Sequence, residues 1–115
     1  MCHVGKKEDR ERLVNETLEK YGRIDYVVPN AAVSLRMNNY LEATESQIQK
    51  MFEINYLSTY SLIKLTLPEL KRNKGSVLII STIGAYEAPM ISGQYGLTKL
   101  MLVGMTRILA RLLIQ

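Results

Sequence analysis

The chain has little of what staples or anchors a small protein. Its one cysteine, Cys2, rules out an internal disulfide and fits a reducing compartment. Tryptophan is absent and phenylalanine occurs once, so the seven tyrosines supply nearly all the aromatic surface. There is one histidine, His3. No run of about eighteen uninterrupted apolar residues is present, and no secretory leader pattern, which argues against a membrane-spanning helix. Charge of neither sign dominates. The net +4 is spread along the chain with no basic stripe and no interleaved aromatics, so solvated helix faces explain it better than a nucleic-acid partner. Repeats, low-complexity tracts and linkers are also missing. What remains is a length that suits one domain and a composition 47% hydrophobic, enough for a sizeable core.

The stretch from Ser76 to Lys99 carries the most information. The apolar run Val77-Leu78-Ile79-Ile80 follows Gly75 and predicts a strand buried on both faces. It ends in two hydroxyls, Ser81 and Thr82. A loop with Gly84, Pro89 and Gly93 follows, and then Tyr95 and Lys99 open a long helix. Four residues apart, these two side chains lie one above the other on one helix face. A phenol is a poor acid at neutral pH, and a neighbouring ammonium favours its ionised form. A phenol so placed can give a proton to a carbonyl oxygen or take one from an alcohol, while a second hydroxyl holds that oxygen. Open parallel sheets place their chemistry at this end of the strands. The Tyr-x-x-x-Lys spacing occurs a second time, at Tyr60 and Lys64. That pair lies in mid-helix with no strand and hydroxyls before it, and reads as coincidence.

Periodicity sets the rest of the frame. Residues 2–5 read as the tail of a strand and its turn. Residues 7–21 predict an amphipathic helix, with Leu13, Val14, Thr17, Leu18 and Tyr21 in one stripe and Gly22 as its stop. Residues 24–29 predict the next strand, with Pro29 at its very end. Asn30 suits the turn that follows. Thr44-Glu45-Ser46-Gln47 has the form of a capping box and opens a long helix to about residue 73. Pro68 is expected to bend or break the last part of it. Ile48, Met51, Phe52, Tyr56, Tyr60, Ile63 and Leu67 recur near helical spacing and mark core or a partner surface. Asn55 lies inside this helix and, if buried, needs partners; a core role and a catalytic role both stand. From about residue 94 the last helix is apolar nearly all round, and Met101 and Met105 read as core or as subunit interface. The order strand, helix, strand, helix, strand, helix predicts an α/β fold, a parallel sheet with helices on both faces.

Three short motifs carry a resemblance. Asn30-Ala31-Ala32, after Val27-Val28, resembles the Asn-Asn-Ala-Gly turn of the short-chain dehydrogenases/reductases. Asn55, in Glu53-Ile54-Asn55, matches that family's helix asparagine. Tyr95-Gly96-Leu97-Thr98-Lys99 matches its active-site motif. The resemblance covers essentially the whole chain. The opening residues 2–14, together with 30–33, are similar to a branch of NADPH-dependent carbonyl and retinal reductases. It implies a partial Rossmann-like, doubly wound parallel sheet lacking the first and the C-terminal strands, with residues 1–115 the central part of one domain.

It also implies hydride transfer between NADP(H) and a carbonyl or alcohol substrate. Asn55, Thr82, Tyr95 and Lys99 would be catalytic. His3, Val4, Asn30, Ala31 and Ala32, with Tyr95 and Lys99, would hold the cofactor, and Thr82, Tyr86 and Met90 would line the substrate pocket. No metal is implied. Thr82 stands where the family has serine, and His3 where most relatives have an aspartate that touches adenine. Dimers or tetramers built through the two long helices, and a peroxisomal or cytoplasmic setting, follow from the same resemblance.

The family's Gly-rich pyrophosphate turn, G-x-x-x-G-x-G, occurs nowhere in the chain. With the full family fold much longer than this sequence, a partial gene product, a splice form or an incomplete gene model is expected, and a two-stranded sheet with bare edges would be marginal and sticky. Two functions are therefore open: an oxidoreductase segment, or a non-catalytic truncated form that pairs with a complete subunit.

Overall fold

The computed structural model describes residues 1–35, 39–87 and 93–113. Helix α1 (Lys7–Tyr21) keeps the bounds its periodicity predicts. Glu8 and Asp9 in its first turn and Lys20 in its last complement the helix dipole. It ends because Gly22 turns left-handed, at φ 73°, and returns its N–H to the Leu18 carbonyl.

Strand β1 (Tyr26–Val27) pairs in parallel with β2 (Ser76–Val77), Tyr26 opposite Ser76 and Val27 opposite Val77. Bonds from Ser76 N–H to the Asp25 carbonyl (2.8 Å) and from Leu78 N–H to the Val27 carbonyl (3.0 Å) extend the ladder at both ends. Both strands are shorter than their apolar runs, because each has one neighbour and the regular ladder exists only where the two overlap.

The crossover between them is one helical rod in three pieces: α2 (Glu45–Phe52), a π-helical turn (Glu53–Leu57) and α3 (Ser58–Asn73). The capping box closes as the sequence predicts. The Thr44 hydroxyl accepts from Gln47 N–H at 3.2 Å, and the Gln47 side chain accepts from Thr44 N–H at 2.9 Å. Pro68 does not end α3, which runs on to Asn73. Pro68 and Lys64 both face solvent, so the carbonyl that loses its N–H partner lies on the wet side of the helix. Lys74 then turns left-handed, and the Asn73 side chain donates to the Ile24 carbonyl at 3.0 Å, tying the helix end to the start of β1. Beyond β2, a short helix α4 (Gly84–Glu87) forms where the sequence suggested only loop, and α5 (Gly93–Leu113) follows.

Two apolar clusters hold these pieces. Val14, Ile24, Val27 and Leu70 join α1 and α3 to β1; Ile63, Leu102 and Met105 join α3 to α5 over Val77 and Ile79. Met105 is therefore core, and of the two methionines only Met101, at 36% exposure, reaches the surface. Side chains alternate along the strands, and Val27, Val77 and Ile79 all point to the helices. Tyr26, Val28 and Leu78 point the other way and are exposed. The expectation that the Val77–Ile80 strand is buried on both faces is thus corrected, with Leu78 exposed. Among the described residues the long helices share one face of the sheet, which makes the fold a partial Rossmann-like α/β unit.

Gly75 lies where the strands start to pair. A Cβ there would sit 2.3 Å from the Asp25 carbonyl oxygen and 2.8 Å from Leu70 Cδ2. Backbone at the strand edge cannot give way without breaking the Ser76–Asp25 bond. Gly75→Ala is expected to destabilise the protein by about 1–3 kcal/mol, measured by urea denaturation. Unchanged stability would mean that β2 can slide on β1.

Candidate active site

The site forms where β2 runs out and α5 begins. Two reciprocal bonds join them. The Lys99 ammonium donates to the Ile80 carbonyl at 2.9 Å, and the Ser81 hydroxyl donates to the Lys99 carbonyl at 3.0 Å. Lys99 is 2% exposed, and its Nζ lies 5.8 Å from the centroid of the Tyr95 ring. The i, i+4 spacing therefore does bring the phenol and the ammonium together, with the ammonium anchored to the strand end. Among the described residues two of its three N–H donors are left for other partners. Burial pushes the Lys99 ammonium below the ordinary lysine value.

Thr82, next along the chain, turns to a different partner from Ser81. Its hydroxyl oxygen accepts from Gly84 N–H at 3.3 Å, and its carbonyl accepts from Ala85 N–H at 3.1 Å, so Thr82 starts α4. Among the described residues its own O–H has no acceptor and remains available to donate. The Gly84 turn packs on the first turn of α5: a Cβ at Gly96 would lie 2.4 Å from the Gly84 carbonyl oxygen. Glycine next to Tyr95 thus lets the Thr82 segment come within backbone contact of the tyrosine's own helix turn. Tyr86, on α4, is exposed. Met90 lies outside the described residues.

Asn55 sits in the π turn and is fully buried. Its side-chain oxygen accepts from Val33 N–H (2.8 Å), and its amide nitrogen donates to the Val33 carbonyl (2.9 Å) and to the Thr98 hydroxyl (2.9 Å). Both of its N–H donors are used. In this geometry it is a satisfied core asparagine that clamps the loop after β1 to the crossover helix and to α5. The π turn shifts the backbone bonding: Ser58 N–H reaches the Glu53 carbonyl, five residues back, and the Ser58 hydroxyl donates to the Ile54 carbonyl at 2.5 Å.

The Asn30-Ala31-Ala32 turn that precedes Val33 is exposed. His3 and Val4 form a second turn. The His3 Nδ1 accepts from Gly5 N–H (3.2 Å) and the His3 N–H donates to the Asp9 carboxylate (2.7 Å), which helps to hold that carboxyl below the usual range. The Val4 carbonyl accepts from the Arg10 guanidinium at 2.5 Å. A Cβ on Gly5 would lie 3.7 Å from Ile54, so this turn rests on the π segment next to Asn55. The other Tyr-x-x-x-Lys pair, Tyr60 and Lys64, is exposed on α3. Sequence reading missed Thr98, which is 6% exposed, and Ser81's bond to Lys99. The signal for Thr98 was a hydroxyl three residues after Tyr95, able to bond back along a helix.

A parallel strand pair crossed over by a helix, with a tyrosine–lysine pair at its carboxyl end, defines a Rossmann-like α/β protein. A family model described as enoyl-(acyl carrier protein) reductase matches residues 1–115. Dehydrogenase/reductase SDR family member 4 from Sus scrofa is 43% identical over 111 residues, covering 96% of this chain and 40% of the relative. Among solved structures, a short-chain dehydrogenase/reductase (glucose/ribitol dehydrogenase) from Brucella melitensis superposes with a TM-score of 0.90 at 29% identity, covering 99% of this chain and 47% of that one. An alcohol dehydrogenase from Thermococcus sibiricus, complexed with 5-hydroxy-NADP, gives a TM-score of 0.86 at 28% identity, covering 94% and 46%. The chain belongs to the short-chain dehydrogenase/reductase family. It spans about two fifths of the length of the pig relative. No described helix is long and apolar enough to cross a membrane.

The buried ammonium makes a pH prediction. Because the Lys99 value is lowered by folding, the unfolded chain binds that proton more tightly. Its cost to stability is fully present below the folded value and is relieved as pH rises toward the unfolded lysine value. Wild type should therefore gain stability relative to Lys99→Met as pH climbs into this alkaline window. Denaturation of both proteins across a pH series checks it, and a constant difference would contradict the assignment.

Proposed function

We infer that this chain is the catalytic segment of an oxidoreductase that moves a hydride between NADP(H) and the carbon of a carbonyl or alcohol. The observation that carries this reading is the placement of Lys99: buried, bonded to the Ile80 carbonyl at the end of β2, and 5.8 Å from the Tyr95 ring. Such an arrangement suits a positioned acid–base group.

The residues divide the work as follows. The Tyr95 hydroxyl gives a proton to the substrate oxygen in reduction and takes it back in oxidation. Lys99, with two N–H donors to spare among the described residues, sets the charge beside that phenol and reaches a ribose hydroxyl. The O–H of Thr82 donates to the same substrate oxygen, and its extra methyl relative to serine narrows the space on one side. Asn55, with both N–H donors committed to Val33 and Thr98, contributes by fixing the walls of the site. The exposed Asn30-Ala31-Ala32 turn has small side chains, so a flat ring or a ribose can approach its backbone. His3 keeps Nε2 for a base edge, since its Nδ1 is occupied by Gly5. These features support a nicotinamide dinucleotide as the cofactor, which when bound supplies or accepts the hydride. The Thermococcus sibiricus alcohol dehydrogenase, complexed with 5-hydroxy-NADP, supports the phosphorylated form. The resemblance assigns Tyr86 and Met90 to a pocket for an apolar ketone, aldehyde or retinoid-like carbonyl. The resemblance further supports a dimer or tetramer, and a cytoplasmic or peroxisomal setting.

The test is reduction of an apolar ketone by NADPH, followed at the loss of nicotinamide absorbance, with the protein as its source cells produce it. Tyr95→Phe should lower kcat by about 10²–10⁴-fold while leaving cofactor binding in place. Turnover that survives Tyr95→Phe unchanged would remove the tyrosine from the chemistry.

A further inference from the structure

Thr98 has a place in the site that neither its sequence context nor its neighbours' roles assign. It is 6% exposed, in the first turns of α5, between Tyr95 and Lys99. Its hydroxyl makes two bonds of opposite sense. It donates to the Tyr95 carbonyl at 2.7 Å and accepts from the Asn55 amide nitrogen at 2.9 Å. A hydroxyl has one proton to give, so with that proton on Tyr95 only lone pairs face Asn55. That forces Asn55 to present nitrogen to Thr98, and so to present its oxygen to the Val33 N–H, as observed.

The result is a line of hydrogen bonds from Val33, through Asn55 and Thr98, to the backbone of Tyr95. Tyr95 is the third residue of α5, in the turn whose N–H groups lack helical partners and which frays most readily. On its other side α5 meets the Gly84 turn through Gly96 and the strand end through Lys99. The Tyr40 ring packs on Gly93 at the start of α5, but among the described residues the hydrogen-bonded tie from this first turn back to Val33, after the Asn30-Ala31-Ala32 turn, runs through the Thr98 hydroxyl and Asn55.

The geometry points to Thr98 as a positioning residue: its hydroxyl locks the first turn of α5 to Asn55 and thereby fixes Tyr95 relative to the cofactor-side loop. The kinetic part of this rests on the reductase reading above; the hydrogen-bond part does not. The γ-methyl of Thr98 plays no role in it, so serine should serve and valine, which has the same shape without the hydroxyl, should not.

The experiment compares Thr98→Ser, Thr98→Val and Thr98→Ala with wild type, each checked for folding by circular dichroism. First, nuclear magnetic resonance follows exchange of the Asn55 side-chain amide protons, with exposed Asn15 as the internal reference. In wild type and Thr98→Ser both Asn55 protons should be protected, and in Thr98→Val one should lose its protection. Second, NADPH-dependent kinetics should show kcat reduced about ten- to a hundredfold in Thr98→Val and Thr98→Ala. KM for NADPH should stay within about twofold, and Thr98→Ser should restore kcat. A folded Thr98→Val with wild-type kcat overturns the proposal, as does an Asn55 amide that exchanges like Asn15 in wild type. Should valine and alanine chains both fail to fold, Thr98→Cys, with its weak donor and acceptor, takes their place. Its kcat must then fall between those of wild type and Tyr95→Phe. If wild type shows no NADPH turnover at all, the reductase reading fails, and the amide readout still judges the hydrogen-bond line.

Discussion

The buried amide of Asn55 is the contact on which the site depends. Three separate stretches of chain meet there: the loop after β1 at Val33, the crossover rod at its π turn, and α5 at Thr98. None of these is joined to another by sequence proximity. A fully buried side-chain amide is costly unless its donors and acceptor are matched, and three directed bonds match it in one arrangement only. Apolar packing would let α5 slide along the rod. The amide does not, because a shift of α5 by one residue would strand the N–H that Asn55 gives to Thr98.

That constraint shapes the rod. The π turn falls on the five residues centred on Asn55, and the Ser58 hydroxyl that follows it donates to the Ile54 carbonyl. The disturbance of the helix stays local, at the one place where the rod faces both Val33 and Thr98. The same logic appears on the other side of α5, where Lys99 and Ser81 exchange bonds across the strand end. Burying an ammonium against a single carbonyl is unfavourable for stability, and the fold bears that cost beside the Tyr95 ring. A wide groove of about 820 Å³ between α3, β2 and the end of α5 has none of these features, and it lies at the opposite end of the sheet from Tyr95.

Much of this was legible beforehand, residue by residue. The bounds of α1 followed from its stripe and from Gly22; the start of α2 followed from Thr44 and Gln47. The Tyr95–Lys99 pair could be told from Tyr60–Lys64 by the strand and hydroxyls before it, and the exposure of the second pair on α3 agrees. Other features were not legible for identifiable reasons. Pro68 reads as a helix breaker in any sequence, and it is tolerated here because it faces water. Val77 to Ile80 reads as a strand buried on both faces. A run of hydrophobic residues records what a strand can bury, and the neighbours present set what it does bury, so Leu78 stands exposed. The short helix α4 gave no periodic signal because four residues make only one turn.

Sequence by itself determined the local grammar: caps, stops, apolar stripes, and the spacing that stacks a phenol over an ammonium. These depend on interactions within a few residues, where helix and strand periodicity leave little freedom. The tertiary structure alone decided which partner each polar group took. Whether Asn55 would be a core amide or a free one turned on Val33 and Thr98, 22 and 43 residues away along the chain. Whether Thr98 was one more helix residue or a link to Tyr95 turned on the same meeting. Hydrogen bonds are short and directional, so such choices are made by the packing of distant elements and leave no periodic trace in the sequence.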